Sequence, residues 1–308
     1  MKDNIKIELS FRELIDLPET KDKFKEMLGE KNGVSFLYSA LQVVEKEITL
    51  RNCEPKSILN AVSAIASINL MIDPSFGQAF IKSYKVKDGL IWKDFAQFQI
   101  GYKGLVALSL RTEKFKRIRT EVVYQEEFIS IDRLTGDIDF NWNQNQDERK
   151  KLQVLGYVAF IRLNDGFEHS LYMTLLEMKE HAKKWSKNFN DKDSYWETDF
   201  NKMGEKTVLK LLLDKYAPKS TEMQRAIKFD QAIIEDIDGT KLDYIDNPNK
   251  KEKIDMEANN KAIENKRFLD HINNAKTVAK LKECEDHLQD ENIIIAYQNK
   301  LEKLKQKK

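Results

Sequence analysis

The chain has 308 residues, of which 41% are hydrophobic and 33% charged, with a net charge of +1 and a mean hydropathy of −0.60. That supports one sizeable core plus a small accessory unit and excludes a disordered or fibrous chain. No apolar run approaches the roughly 18 residues of a membrane span, the N-terminus MKDNIKIELSFRELID has no signal-peptide core, and Cys53 and Cys284 match no metal-ligand spacing, so a soluble cytoplasmic protein is expected.

Residues 1–34 are charged and weakly periodic and read as an N-terminal arm with one short helix, ordered at subunit contacts. Helical spacing begins in SFLYSALQVVEKEITL, where Phe36, Leu37, Ala40, Leu41, Val44 and Ile48 share a face. A second helix follows in EPKSILNAVSAIASINL, with Pro55 suited to its first turn. Asp73-Pro74 and Gly77 then break the chain into an extended mode. QAFIKSY and IWKDFAQFQI have the β-branched and aromatic content of strands and are joined by a Lys87-Asp88-Gly89 turn. A helix over residues 102–112 leads to the strands FKRIRTEVVYQ and LQVLGYVAFIRL, and Asn164-Asp165-Gly166 turns the latter into FEHSLYM.

Thr174 and Glu177 have capping-box spacing and open a helix reaching about Lys187. One longer helix is expected in SYWETDFNKMGEKTVLKLLLDKY, stopped before Pro218, and a final core helix in TEMQRAIKFDQAIIEDI. Residues 238–254 have the turn residues and charge of a linker, and residues 262–304 regain a helical period. The expected fold is α+β, a small antiparallel sheet packed with helices. Residues 35–237 form its core, and residues 255–308 a small helical unit that is marginal alone.

Charge is segregated along the chain. Residues 81–119 hold ten cations against three acids, a surplus of seven in a chain whose total is +1. Aromatic residues (Tyr84, Trp92, Phe95, Phe98, Tyr102 and Phe115) alternate with these cations, a combination suited to single-stranded nucleic acid, where cations neutralise phosphates and rings stack on bases. Within the segment, FQIGYKGLVALSLRTEKFKRIRT places a Gly101-Tyr102-Lys103-Gly104 turn at a helix start, where glycines admit a phosphate, N–H groups point at it and Lys103 adds charge. A second constellation is Lys202, Lys206 and Lys210 at four-residue steps, with Lys184 and Trp185 upstream; an exposed lysine face on an amphipathic helix explains it equally well.

Other chemistries fit less well. The glycine turn lacks the Lys-Ser/Thr of a nucleotide-binding loop, and Glu205 interrupts Gly204-Lys206-Thr207, which argues against an ATPase. Asp132, Asp137 and Asp139 are the candidate set for a metal-dependent DNA nuclease, although acids flanking a Leu134-Thr135-Gly136 turn more often face solvent. His169, His181, His271 and His287 show no paired metal-binding spacing. A non-catalytic structural adaptor with an incidental basic face is the third alternative.

The order of these motifs resembles the RecT family of phage-type single-strand DNA annealing proteins. The likeness runs from NCEPKSILNAVSAIASINLMIDPSFGQAFIKSY through FQIGYKGLVALSLRTEKFKRIRTEVVYQEEF and GYVAFIRLNDGFEHSLYMTLLEMKEHAKKWSK to MGEKTVLKLLLDKYAP and EMQRAIKFDQA, about residues 35–233. Departures are Glu205 where many members have lysine, Leu211 where some have arginine, and an apparent extra residue at Asp214. The resemblance implies an annealing recombinase without ATPase or nuclease chemistry. It would coat single-stranded DNA, pair complementary strands and hold the duplex intermediate in a basic groove. It also implies rings or helical filaments and work beside a 5′-to-3′ exonuclease, with no cofactor and magnesium only as a counterion. The DNA-binding residues expected are Lys82, Tyr84, Gln99, Gly101, Tyr102, Lys103, Lys114, Lys116, Arg117, Arg119, Lys184, Trp185, Lys206 and Lys210. Residues 255–308 are expected to dock a cognate exonuclease or a host single-strand-binding protein.

Overall fold

In a computed structural model, residues 9–88, 91–186, 189–192, 194–230, 232–243, 272 and 297–301 are described. The chain divides into two compact units, residues 1–246 and residues 247–308. In the second unit the described residues are helical, and Ile272 and Tyr297 are buried. The rest of the helical period expected over residues 262–304 lies outside the described residues.

The first unit opens with helices α1 (Phe11–Asp16), α2 (Pro18–Leu28), α3 (Glu30–Lys46), α4 (Ile48–Arg51) and α5 (Pro55–Ser67). A ribbon of β1 (Ala79–Asp88) and β2 (Ile91–Ile100) follows, then α6 (Tyr102–Leu110) and β3 (Phe115–Tyr124). An excursion carries β4 (Phe128–Ile131), β5 (Ile138–Phe140) and α7 (Gln146–Arg149) before β6 (Val154–Leu163) and β7 (Glu168–Thr174). The unit continues with α8 (Leu175–Trp185), α9 (Tyr195–Thr198), α10 (Phe200–Tyr216) and α11 (Thr221–Phe229), and ends with β8 (Ile233–Ile234) and β9 (Leu242–Asp243). The fold is α+β, with small antiparallel sheets against helices: β1-β2, β3-β6-β7, β4-β5 and β8-β9.

Residues 11–28 are two core helices and not an arm with one. Ser10 and Glu13 form a capping box that starts α1, and Pro18 starts α2. Phe11, Leu14, Ile15 and Phe24 are buried, because their few apolar positions fall at helical spacing facing α3 and α5. Two other expectations also change. The long helix over residues 195–216 is broken at Asp199, whose backbone is non-helical and whose carboxylate caps Lys202 N–H at 3.4 Å. The last core helix stops at Phe229, and the apolar Ile233–Ile234 that follows is a short strand.

The ribbon packs its alternate residues Ala79, Ile81, Ala96, Phe98 and Ile100 on α5, where Ser57 Oγ accepts the Ala96 N–H at 2.9 Å. The sheet β3-β6-β7 packs one face on α10: Tyr157 is fully buried and its hydroxyl donates to Asn201 Oδ1 at 2.8 Å. A glycine permits that contact, since a Cβ at Gly204 would lie 2.7 Å from the Tyr157 ring. The enclosed ring has nowhere to move, so Gly204→Ala is expected to destabilise the protein by about 1–3 kcal/mol. Thermal denaturation checks this; an unchanged Tm would mean α10 does not seat on β6 in this way.

Candidate nucleic-acid interface

The glycine turn is shaped first by packing. A Cβ at Gly101 would lie 2.1 Å from the Gly77 carbonyl oxygen, and one at Gly104 2.1 Å from that of Gln78. The Gly101 N–H donates to Gln78 O at 2.8 Å. Both glycines therefore let α6 start against the chain entering β1, a requirement that would fix them without any phosphate. No side chain caps α6, Lys103 is exposed, and its stem lies over Gly77.

On the ribbon face turned away from α5, the register sets Phe80, Lys82 and Tyr84 opposite Gln99, Gln97 and Phe95. Tyr84 and Gln99 are half-buried, and Gln99 Nε2 donates to Tyr84 Oη at 2.7 Å. The Lys82 ammonium sits 5.4 Å from the centre of the Tyr195 ring and 4.0 Å from Glu47. Strand parity sorts part of the aromatic–cation mixture of this segment: Phe98 is core and Tyr84 with Lys82 shares the outer face, while Trp92, of the same parity as Phe98, is exposed at the far end of the ribbon.

Beside the end of β2 lies a charge cluster that spacing alone does not reveal. Asp230 is buried, accepts the Ile100 N–H at 3.0 Å, and forms an ion pair with Lys210. Burial pushes its carboxyl pKa upward, but the charges of Lys210 and Lys206 and the bonds from Lys210 and Ile100 outweigh that and hold it below the usual range. Lys206 is half-buried, and desolvation lowers its pKa, with Asp230 opposing and Lys210 adding to the fall. Burial, Lys210 and Lys184 together depress His181. One carboxylate therefore faces two lysines, a surplus of positive charge in a partly dry setting. The lysine stripe of α10 is divided: Lys202 is exposed and pairs with Asp199, whereas Lys210 pairs with Asp230 and Lys206 is half-buried.

Glu205, the departure noted above, bonds to Thr120 Oγ1 at 3.0 Å, and Thr120 also meets Tyr102 Oη at 3.2 Å. Burial raises the Glu205 pKa. This chain joins β3, α6 and α10 and places Tyr102 on the inner face of β3.

Arg117 and Arg119 take the other face. They are exposed and lie across from Arg162 and Phe160, whereas Thr120 lies across from the buried Ala159. Arg117 and Arg119 are therefore split from the α10 lysines by the thickness of the sheet. Lys114 and Lys116 are exposed at the start of β3, while Lys184 and Trp185 end α8, the ammonium 5.0 Å from the ring centre.

An open cavity of about 980 Å³ lies between the outer face of β3-β6-β7 and the β4–β5 excursion, and it mixes Arg119 with Glu121, Asp137, Asp139 and Glu168. Arg149, which spacing did not single out, anchors this excursion. It bonds Glu127 at 2.6 Å and Val122 O at 2.6 Å, between the rings of Tyr124 and Trp142. Two of the candidate nuclease acids are hydrogen-bonded within the excursion: Asp132 accepts the Leu134 N–H at 2.7 Å in the turn, and Asp139 accepts from Ser130 Oγ at 3.0 Å across β4–β5. Among the described residues no three His, Cys, Asp or Glu side chains gather as a metal site, and no helix is long and apolar enough to cross a membrane.

A sequence model of the RecT family matches residues 35–244. The Bacillus subtilis protein YqaK, uncharacterised, is 33% identical over 248 residues, covering 80% of each chain. Protein RecT of Escherichia coli is 27% identical over 188 residues, 61% of this chain and 67% of its own.

The half-buried Lys206 charge opposes folding, since a pKa below the ordinary lysine value means the folded state disfavours the ammonium. Below that lowered pKa the cost is fully present, and it fades as pH rises through the folded pKa towards the unfolded value. Lys206→Met is expected to raise Tm at pH 7 by about 2–4 °C, because Asp230 keeps Lys210 as its partner. A fall in Tm would show that Lys206 stabilises the cluster.

Proposed function

The chain belongs to the RecT family, whose members are single-strand annealing proteins of DNA recombination, and on that premise we propose how its own residues perform the task. The protein binds single-stranded DNA without ATP, pairs it with a complementary strand and retains the product in a basic groove. The observation that carries this reading is the Asp230 cluster: two lysines face one carboxylate, and the surplus ammonium, Lys206, is partly desolvated beside the Asp230 that takes the Ile100 N–H at the end of β2. A cation held in that state is stabilised by an approaching polyanion.

Two DNA strands repel, and cations along a groove lower that barrier while concentrating both strands. In this reading Lys82, Lys103, Lys206 and Lys210 hold one backbone beside Gly101. Tyr84, Gln99 and Tyr102 lie near sugars or bases, with Lys184 and Trp185 extending the path along α8. Lys114, Lys116, Arg117 and Arg119 meet DNA from the opposite side of β3, which suits a second strand or a neighbouring subunit's DNA in a ring or filament. Sequence is read by base pairing, so the protein needs only backbone and stacking contacts. No nucleotide or catalytic metal takes part, and magnesium acts as a counterion. Residues 255–308 dock a 5′-to-3′ exonuclease or a host single-strand-binding protein.

Lys103→Ala or Arg117→Ala is expected to weaken binding to oligonucleotides of different sequence alike. Each should lower the slope of log affinity against log salt by about 0.7, the value per phosphate contact on a single strand. A mobility-shift titration at several salt concentrations measures this, and altered base preference at unchanged affinity would contradict it. Labelled DNA with magnesium separates the nuclease alternative: shortened strands would support it, and intact strands are expected.

A further inference from the structure

Among the described residues, the buried side-chain polar atoms without a hydrogen-bond partner are the amide oxygen and nitrogen of Gln97. The residue is fully buried, and an enclosed amide with neither bond made is rare in folded proteins. Its place in the ribbon explains why it is covered. Gln97 lies opposite Lys82 on the outer face, between the Tyr84–Phe95 pair and the Phe80–Gln99 pair. The Tyr84–Gln99 hydrogen bond therefore spans the row that holds Gln97. Lys82 leans instead towards Glu47 and Tyr195.

We propose that Gln97 is a base-contacting residue, uncovered when Tyr84 leaves Gln99 to stack on a nucleotide. The inference rests on the reading that this ribbon face binds single-stranded DNA. Once uncovered, Nε2 donates to the minor-groove edge of a base, where purines offer N3 and pyrimidines O2. All four bases carry that acceptor, so the contact is tolerant of sequence and leaves the pairing edge to the complementary strand. Lys82, directly across the ribbon, can then donate to Oε1. A phosphate suits the amide less, because it offers acceptors alone.

The test compares the full chain with Gln97→Met, which keeps the side-chain length and removes both polar atoms. Without DNA, the variant is expected to match or exceed the parent's Tm. Its affinity for a fluorescent single-stranded oligonucleotide at fixed salt is expected to fall about 5- to 20-fold, in the range of one buried hydrogen bond. On an abasic oligonucleotide of equal length the gap between the two proteins closes. A lowered Tm would overturn the proposal, since the amide would then be satisfied within the fold. Equal affinity of parent and variant for the normal oligonucleotide would also overturn it while leaving the DNA-binding reading intact, as would a gap that persists on abasic DNA. If the parent shows no salt-sensitive DNA binding, the underlying reading fails as well.

Discussion

The arrangement of the first unit turns on one buried carboxylate, Asp230, which takes the N–H of Ile100 at the end of the ribbon and the ammonium of Lys210 on α10. Such a charge is tolerated in a dry setting only because a full charge and a hydrogen bond meet it. Geometry follows from that requirement. Asp230 sits at the exit of α11, so its two bonds tie three segments distant in sequence: the ribbon, α10 and the chain running into β8. The same bonds hold Lys206 near enough to be affected by Asp230, while leaving it without a carboxylate of its own. A structural anchor thereby produces a local excess of positive charge.

Close backbone approach does the complementary work at the residue that follows Ile100, Gly101. The Gly101-Tyr102-Lys103-Gly104 turn is similar to a phosphate loop in sequence, but its glycines admit the carbonyls of Gly77 and Gln78. This packing uses the Gly101 N–H and the space above both glycines within the fold. It fixes the start of α6 so that Lys103 is exposed and Tyr102 reaches the Thr120–Glu205 pair. Glu205 is held by its hydrogen bond from Thr120, and burial raises its pKa.

Much of this was legible in the sequence where a signal is local. Pro55 starts α5, and the Thr174–Glu177 box starts α8. The alternation in IWKDFAQFQI places Ala96, Phe98 and Ile100 inward. What escaped depends on contacts between distant segments. Phe11, Leu14, Ile15 and Phe24 are diluted by charged neighbours, and their burial shows only when α1 and α2 meet α3 and α5. Asp230 resembles any acid after an amphipathic helix, and Arg149 any basic residue in a polar loop. Gln97 reads as a polar outward position, yet it is buried in the row that the Tyr84–Gln99 bond spans. The split of Arg117 and Arg119 from the α10 lysines follows from strand pairing, which the run of cations conceals.

In the proposed function, cations positioned by this fold bring complementary strands together without nucleotide or metal. The most direct measurement mixes two complementary oligonucleotides carrying a donor and a quencher, with chelator present and ATP absent. The protein is expected to accelerate quenching to full-length duplex, and added salt to suppress the acceleration. A rate equal to that of protein-free strands, or one that appears only when ATP is supplied, would contradict it.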